Sequence, residues 1–254
     1  MAFTRVKTAS EIEKMRESGR MLATVLGIAE KSIETGITTL EIAKIAKKEL
    51  TKLGGKPAFY GYLGFPDVIC ISVNDEIVHG IPSDRKLESG DLVGLDFGVS
   101  YEGMITDAAK TVIVGRGEDP QGLVKTTEQA LYSGIDVVKD GTTIGDIGAA
   151  IADVLDSKSF GIVQELVGHG VGHELHEEPN IPNYGTRGTG VEIKAGMTIA
   201  IEPMATLGSR EVIISQDGWT VKTKDGSLAA HAEHSVLVLE DGYEILTALP
   251  VNKG

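Results

Sequence analysis

A single cysteine, Cys70, stands among the 254 residues, so an intrachain disulfide framework is excluded. No apolar run reaches the roughly 18 residues that a membrane span needs. The opening MAFTRVKTASEIEKMRESGR has none of the apolar stretch of a secretory signal. These absences set the expectation of a reduced, cytoplasmic protein with no membrane partner. Positive charge is scarce as well: 24 Lys and Arg stand against 37 Asp and Glu, a net charge of −13. Stable nucleic-acid binding runs on Lys and Arg against phosphates and is a poor fit to that balance. The charge is uneven, since residues 1–60 hold 11 Lys/Arg against 7 Asp/Glu and the remainder holds 13 against 30. Solvated helix faces account for such a skew; the sharper alternative is a basic N-terminal face that meets a charged partner.

Familiar catalytic signatures are missing too. There is no G-x-S-x-G, and the DFG at Asp96–Gly98 has neither an HRD loop nor a Gly-rich phosphate loop to accompany it. HELH at His173–His176 is one residue short of HExxH, so the helical zinc-protease geometry fails. GRG at Gly115–Gly117 is too little for a dinucleotide fingerprint. Cys70, in the apolar setting ICIS, reads as a buried thiol before it reads as a nucleophile.

What is present is a repeat. Ile12, Met15, Leu22, Val25, Leu26 and Ile33 recur at helical spacing from Ser10 to about Glu34, with Ser10 and Glu13 as a capping box and Gly36 as the stop. Thr38 or Thr39 caps a second helix to about Leu53. VICISV, DLVGLDFGV and TVIVG then read as strands. The order recurs: helices over about 119–139 and 143–156, then strands near IVQELV, MTIAIEP, EVIIS and HSVLVLE. ETGITTLEIA around Gly36 matches KDGTTIGDIG around Gly141, an offset of 105, and SGDLVGLDFG around Gly90 matches AGMTIAIEPM around Gly196, an offset of 106. Two matches at nearly one offset predict two pseudo-symmetric halves, approximately 1–115 and 116–254, of an α+β fold with helices backing one curved antiparallel sheet. No Pro/Ser-rich linker separates them, so residues 1–254 are expected to form one catalytic domain. A cleft between the halves is the natural place for a site.

The acids keep unusual company. Asp96 follows VGL in an apolar run, Glu202 follows TIAI, and the 106 offset sets them opposite each other. An ionised carboxylate on the buried side of a strand is costly without compensation, and Lys and Arg are sparse nearby. Capping of a strand-end turn explains either acid alone. Asp96, Asp107, His169, Glu202 and Glu233 together are more telling. FGVSYEGMIT between Asp96 and Asp107 suits a hairpin that sets two acids side by side, and Glu202 and Glu233 are expected to do the same. Four carboxylates sharing a cleft force protonation unless cations intervene. Two divalent ions, about 3.5–4 Å apart, satisfy them as a hydrolytic centre, and ligand type alone does not choose among Mn, Fe, Co and Zn.

At this point the residues resemble a known family. CISVNDEIVHGIP, DLVGLDFGVSYEGMITDAAKT, GHGVGHELHEEPNIPNYG, GMTIAIEPM and DGWTVKTKDGSLAAHAEHSVLV resemble segments of type I methionine aminopeptidases, covering most of residues 60–240. The resemblance implies the two-halved pita-bread fold. It implies Asp96, Asp107, His169, Glu202 and Glu233 as ligands of a dinuclear metal centre, with room for a monovalent cation elsewhere. It implies His79 and His176 as substrate-contacting histidines, and Tyr62, Phe65, Cys70 and Trp219 as the pocket for a methionine side chain. The substrate would be the N-terminus of a peptide or nascent chain with a small second residue, the enzyme a monomer, and the ribosome a transient contact. A water between the metals would be the nucleophile and Glu202 its proton acceptor. The 31 positions from Glu202 to Glu233 leave no room for the helical insert of type II enzymes. Two departures stand out: Leu175 before His176, where an aromatic is expected, and Leu63 after Tyr62, where many relatives have histidine. His173 reads as a solvent-facing imidazole or one that supports the site from behind, and alternation turns His234 away from the site. The alternatives are an X-Pro peptidase of the same fold, which usually carries an extra N-terminal domain and a different histidine spacing, and a non-catalytic pita-bread binding protein, which loses metal ligands.

Overall fold

The computed structural model describes residues 3–248; the first two and last six positions lie outside it. The chain opens with helix α1, Ala9–Lys31, whose cap is Thr8 rather than Ser10. Thr8 and Glu11 form both arms of a capping box, with the Thr8 N–H donating to Glu11 Oε2 at 2.8 Å and the Glu11 N–H to Thr8 Oγ1 at 3.3 Å. The reason for the earlier start is the anchor ahead of it: the Lys7 N–H donates to the Gly196 carbonyl at 2.8 Å and fixes the chain before Thr8. The helix ends at Ser32 and not near Glu34, because the Ser32 hydroxyl turns back onto the Ala29 carbonyl. Helix α2, Thr39–Leu53, follows with the Thr38–Glu41 capping box.

Both helices lie on a sheet built from Cys70–Val73, Leu92–Tyr101 and Met104–Ile113, paired antiparallel. TVIVG is only the end of the third strand, which begins at Met104 after the two-residue turn Glu102-Gly103, both residues at positive φ. Met21, Leu22, Val25, Ile42, Leu50 and Phe97 are among the side chains buried between helices and sheet.

The second pass repeats the first. Helix α3, Leu123–Asp136, is entered through a short turn at Pro120–Gly122, and helix α4, Ile144–Asp156, carries the Thr143–Asp146 capping box. Thr143 lies 105 positions beyond Thr38, and the two threonines make matching isolated bridges, to Lys86 and to Glu192. Gly36, Gly90, Gly141 and Gly196 all sit at positive φ, so the sequence repeat is a repeat of backbone conformation. The helices cover a five-stranded ladder of Gly242–Ile245, His234–Leu239, Thr198–Ile201, Gly168–Gly170 and Glu177–Ile181. Near IVQELV only Gly161–Ile162 is strand.

The curved sheet is held as separate ladders, broken where it turns. Glu202-Pro203 interrupts one line of strand between Thr198–Ile201 and Met204–Thr206, and Ala232-Glu233 interrupts another between Ala229–His231 and His234–Leu239. Proline has no N–H to give to a ladder. The two halves are stitched at the second break: the Glu233 N–H donates to the Ala109 carbonyl at 2.9 Å, and the Ala109 N–H returns to the Glu233 carbonyl at 3.3 Å.

Candidate active site

The stitch places the acids. Asp96 pairs with Ala109 in the hairpin, Ala109 exchanges hydrogen bonds with Glu233, and Glu202 follows Ile201, which pairs with His234. The backbones of Asp96, Ala109, Glu233 and Glu202 thus run in one line across the middle of the structure. Asp107 lies opposite Gly98, two residues from Asp96 on the same face. The Asp96–Asp107 hairpin is as expected. Glu202 and Glu233 do not share a hairpin; they meet because their strands pair, while the segment between them folds into further strands.

Asp107, His169 and Glu233 offer ligand atoms all within 4.8 Å of one another, and all three are buried. His169 Nε2 lies 3.3 Å from Glu202 Oε1. Its Nδ1 is 2.9 Å from the carbonyl of Gly170. That carbonyl only accepts, so Nδ1 carries the hydrogen and Nε2 presents its lone pair to the acids, as metal-binding histidines do. Burial holds the His169 pKa down to about 3, so the ring is neutral. Burial likewise raises the carboxyls of Asp96 and Glu233, helped by the charge of Asp107, and raises Asp107 to about 7. Glu202 is raised by burial and then by Asp107 and Asp96.

Asp96 Oδ1, Asp107 Oδ1 and Glu233 Oε1 are buried without a hydrogen-bond partner. A buried carboxylate oxygen with no donor is strongly unfavourable. One histidine lone pair and several bare carboxylate oxygens converging on one point are what a divalent cation requires. The residues therefore fit a metal centre.

The cleft above it is lined by Tyr62, Phe65, Cys70, Trp219, His79 and His176 together with the four acids and the one histidine of the centre. Every residue that the sequence assigned to the site is thus brought to one cavity. Cys70 is buried, and its thiol is pushed well above its usual pKa by burial and then by Asp96, in keeping with a packed pocket residue. Phe65 and Trp219 meet edge to face at 5.3 Å. Trp219 is fixed by Asp217, whose carboxylate accepts the N–H groups of Trp219 and Thr220 at 2.8 and 2.9 Å. Leu175 is 4% exposed and packs with Phe59, Phe65 and Cys70, so it closes the pocket as an aliphatic wall. Leu63 is 82% exposed at the rim. His79 takes a left-handed backbone, φ 59°, rare for a non-glycine residue and concentrated at functional sites.

Some contributors were not read from the sequence. Phe59 lines the pocket, and Gly98 lets it approach, since a Cβ there would stand 2.6 Å from its ring. The Ser235 hydroxyl clamps the backbone of Asp107, accepting its N–H and donating to its carbonyl, each at 2.8 Å. His231 Nε2 lies 3.6 Å from Glu202 Oε2. Lys7, fully buried at its side chain, pairs with Glu177 at 3.1 Å. Only the aromatic spacing around Tyr62 and Phe65 could have hinted at Phe59; a lone Ser, His or Lys gives no such signal. His173 donates its backbone N–H to Glu177 and sets Nε2 2.7 Å from Glu11, and His234 turns away to Thr247.

A profile of metallopeptidase family M24 matches residues 13–240. The chain belongs to that family. Methionine aminopeptidase 1 of Bacillus subtilis is 44% identical over 242 residues, 95% of this chain and 98% of that protein. The methionine aminopeptidase of Escherichia coli K12 is 42% identical over 248 residues, 95% of this chain and 93% of that one. The crystal structure of methionine aminopeptidase from Thermotoga maritima has a TM-score of 0.94 at 45% identity and covers 96% of this chain and 99% of that one. This M24 chain thus has the pita-bread α+β fold of the methionine aminopeptidases. Prolidase from Pyrococcus furiosus is further off, with a TM-score of 0.78 at 25% identity over 65% of its length. Among the described residues no helix is long and apolar enough to cross a membrane.

Proposed function

We propose that residues 1–254 form one catalytic domain, with halves dividing near residue 115, that removes an N-terminal methionine as a type I methionyl aminopeptidase. The observation that carries this reading is the junction of an apolar, aromatic-lined slot with a buried set of metal ligands in one cleft. In this reading the apolar residues of the cleft take the methionine side chain and the bond after it lies at the ligands, which is exopeptidase action.

Asp96, Asp107, His169, Glu202 and Glu233 would hold two divalent ions of the Mn, Fe, Co or Zn class. When bound, such a pair supplies a Lewis acid and a water of lowered pKa. The chain's own residues do the rest. Glu202, at the cleft end of its strand, accepts the proton of the attacking water. His79 and His176 donate to the scissile region and stabilise charge that develops there. Tyr62, Phe65, Cys70 and Trp219 hold the thioether side chain, and aromatic rings suit its polarizable sulfur. In this reading the residue after the methionine is small.

The test is a comparison of Met-Ala-Ser with Lys-Ala-Ser and Ala-Pro. An unpaired charge in the slot costs on the order of 2–5 kcal/mol, so kcat/KM for the lysyl peptide falls at least about 30-fold below that for Met-Ala-Ser. Comparable values would remove the pocket, and preferential cleavage of Ala-Pro would move the chain to the prolidase side of the family.

The same proposal places the enzyme as a monomer in the cytoplasm, acting on nascent chains. Lys44, Lys47, Lys48 and Lys52 are exposed on α2, and Lys47 stands 5.7 Å over the ring of Tyr60, close in sequence to the pocket residues. A basic face there would meet ribosomal RNA transiently. Charge reversal at all four should weaken co-sedimentation with ribosomes at low salt; unchanged sedimentation would reduce the charge skew to a solvated helix face.

A further inference from the structure

Tyr62 does more in this structure than line the slot. Its hydroxyl is 2.9 Å from Nδ1 of His176, and the two rings cross edge to face with centroids 5.2 Å apart. Among the described residues this is the one hydrogen bond of the His176 side chain. Both partners are set on rigid supports. Gly61 takes a left-handed turn, φ 82°, its N–H donates to the Phe65 carbonyl at 2.9 Å, and the Tyr62 N–H donates to the Phe59 carbonyl at 2.9 Å. On the other side, Glu177 accepts the N–H groups of His173 and Glu174 at 2.7 and 3.0 Å and is itself held by buried Lys7. The loop that carries His176 is therefore fixed from behind, and the ring is fixed from the front by Tyr62.

The direction of the bond decides what His176 offers to a substrate. The ring is half-buried and packs edge-on against His169 with centroids 4.4 Å apart. A neutral imidazole carries one hydrogen, on Nδ1 or on Nε2. Burial raises the pKa of Tyr62, which keeps its hydroxyl protonated. A phenol O–H is a far better donor than a neutral imidazole N–H, and an imidazole lone pair a far better acceptor than a phenol oxygen. The hydroxyl therefore donates to Nδ1, and the ring hydrogen resides on Nε2, the nitrogen left free of Tyr62.

We propose that Tyr62 is a positioning residue that selects the Nε2–H tautomer of His176 and so makes it an uncharged hydrogen-bond donor to the scissile group. The role rests on the aminopeptidase reading above, in which His176 contacts that group. Without Tyr62, Nδ1–H becomes equally accessible, and part of the population presents a lone pair where a donor is required.

The experiment is Tyr62→Phe, which keeps the ring in the slot and removes only the oxygen. Steady-state kinetics on Met-Ala-Ser should show kcat lowered about 5–10-fold with KM changed less than about twofold, the loss of one neutral hydrogen bond felt in the transition state. The ¹⁵N spectrum of histidine-labelled, zinc-loaded protein, with His176 assigned through a His176→Gln variant, should show Nε2–H in the wild type and a mixture in Tyr62→Phe. A wild-type His176 protonated on Nδ1 overturns the proposal. So does a Tyr62→Phe protein with unchanged tautomer, or one whose defect lies in KM alone, which would leave Tyr62 as pocket wall only. If the wild type does not cleave Met-Ala-Ser, the aminopeptidase reading fails, and the wild-type tautomer by itself still upholds or overturns the role of Tyr62. The wild-type spectrum equally decides the matter if the variant does not fold.

Discussion

Glu202→Gln is expected to lower kcat on Met-Ala-Ser by about 10²–10⁴, roughly 3–5 kcal/mol of barrier, with little change in KM. Gln keeps the size of the side chain and one oxygen for a cation, and removes the base. The position supports the role. Glu202 leaves the apolar strand Thr198–Ile201 just before Pro203, so its carboxylate stands at the sheet break in the cleft, 3.3 Å from His169 Nε2. Its main-chain carbonyl is tied by Asn183 Nδ2 at 3.0 Å, which fixes the backbone whatever the side chain. Loss of metal would imitate loss of a base, so the ions are counted in the same sample. A Glu202→Gln protein with full metal content and wild-type kcat would contradict the assignment and pass the proton to His79.

Asp107→Ala is expected to lose both metal and turnover. Asp107 belongs to the tightest group of ligand atoms, with His169 and Glu233, and its Oδ1 has no other partner. Mutating a residue that merely supports a metal ligand costs about 10–100-fold in metal affinity, so removing a ligand costs more than about 100-fold. Folding should survive, because Ser235 binds the main chain of residue 107 and the hairpin register does not depend on the side chain. Elemental analysis after dialysis reads the first loss and peptide hydrolysis the second. Normal metal stoichiometry with normal activity would remove Asp107 from the centre.

Much of this was legible in the letters because backbone chemistry repeats in them. Gly36 and Gly141 require the same left-handed turn, and Thr38 and Thr143 cap corresponding helices of the two halves, so the repeat could be read before any fold was known. The acids were legible because Asp96 and Glu202 each interrupt an apolar strand. Boundaries were less so. Two threonine- or serine-led boxes overlap at Thr8 and Ser10, and the choice between them depends on a long-range bond from Lys7 to Gly196 that no local pattern records. The pairing of Glu202 with Glu233 follows from strand register, not from sequence proximity. The hydrogen bond from Tyr62 to His176 joins residues 114 positions apart and has no signature in either neighbourhood.

The most direct test of the account is a metal titration of the stripped wild-type protein. Chelated until the ions are gone, it should hydrolyse Met-Ala-Ser at no measurable rate. Added Mn, Fe, Co or Zn should restore turnover in step with metal bound at the buried ligands, saturating at no more than two ions per chain. Asp107→Ala carried through the same titration should neither bind nor recover. Turnover by wild-type protein shown to be metal-free would contradict the central claim that Asp96, Asp107, His169, Glu202 and Glu233 form the metal centre on which the activity depends.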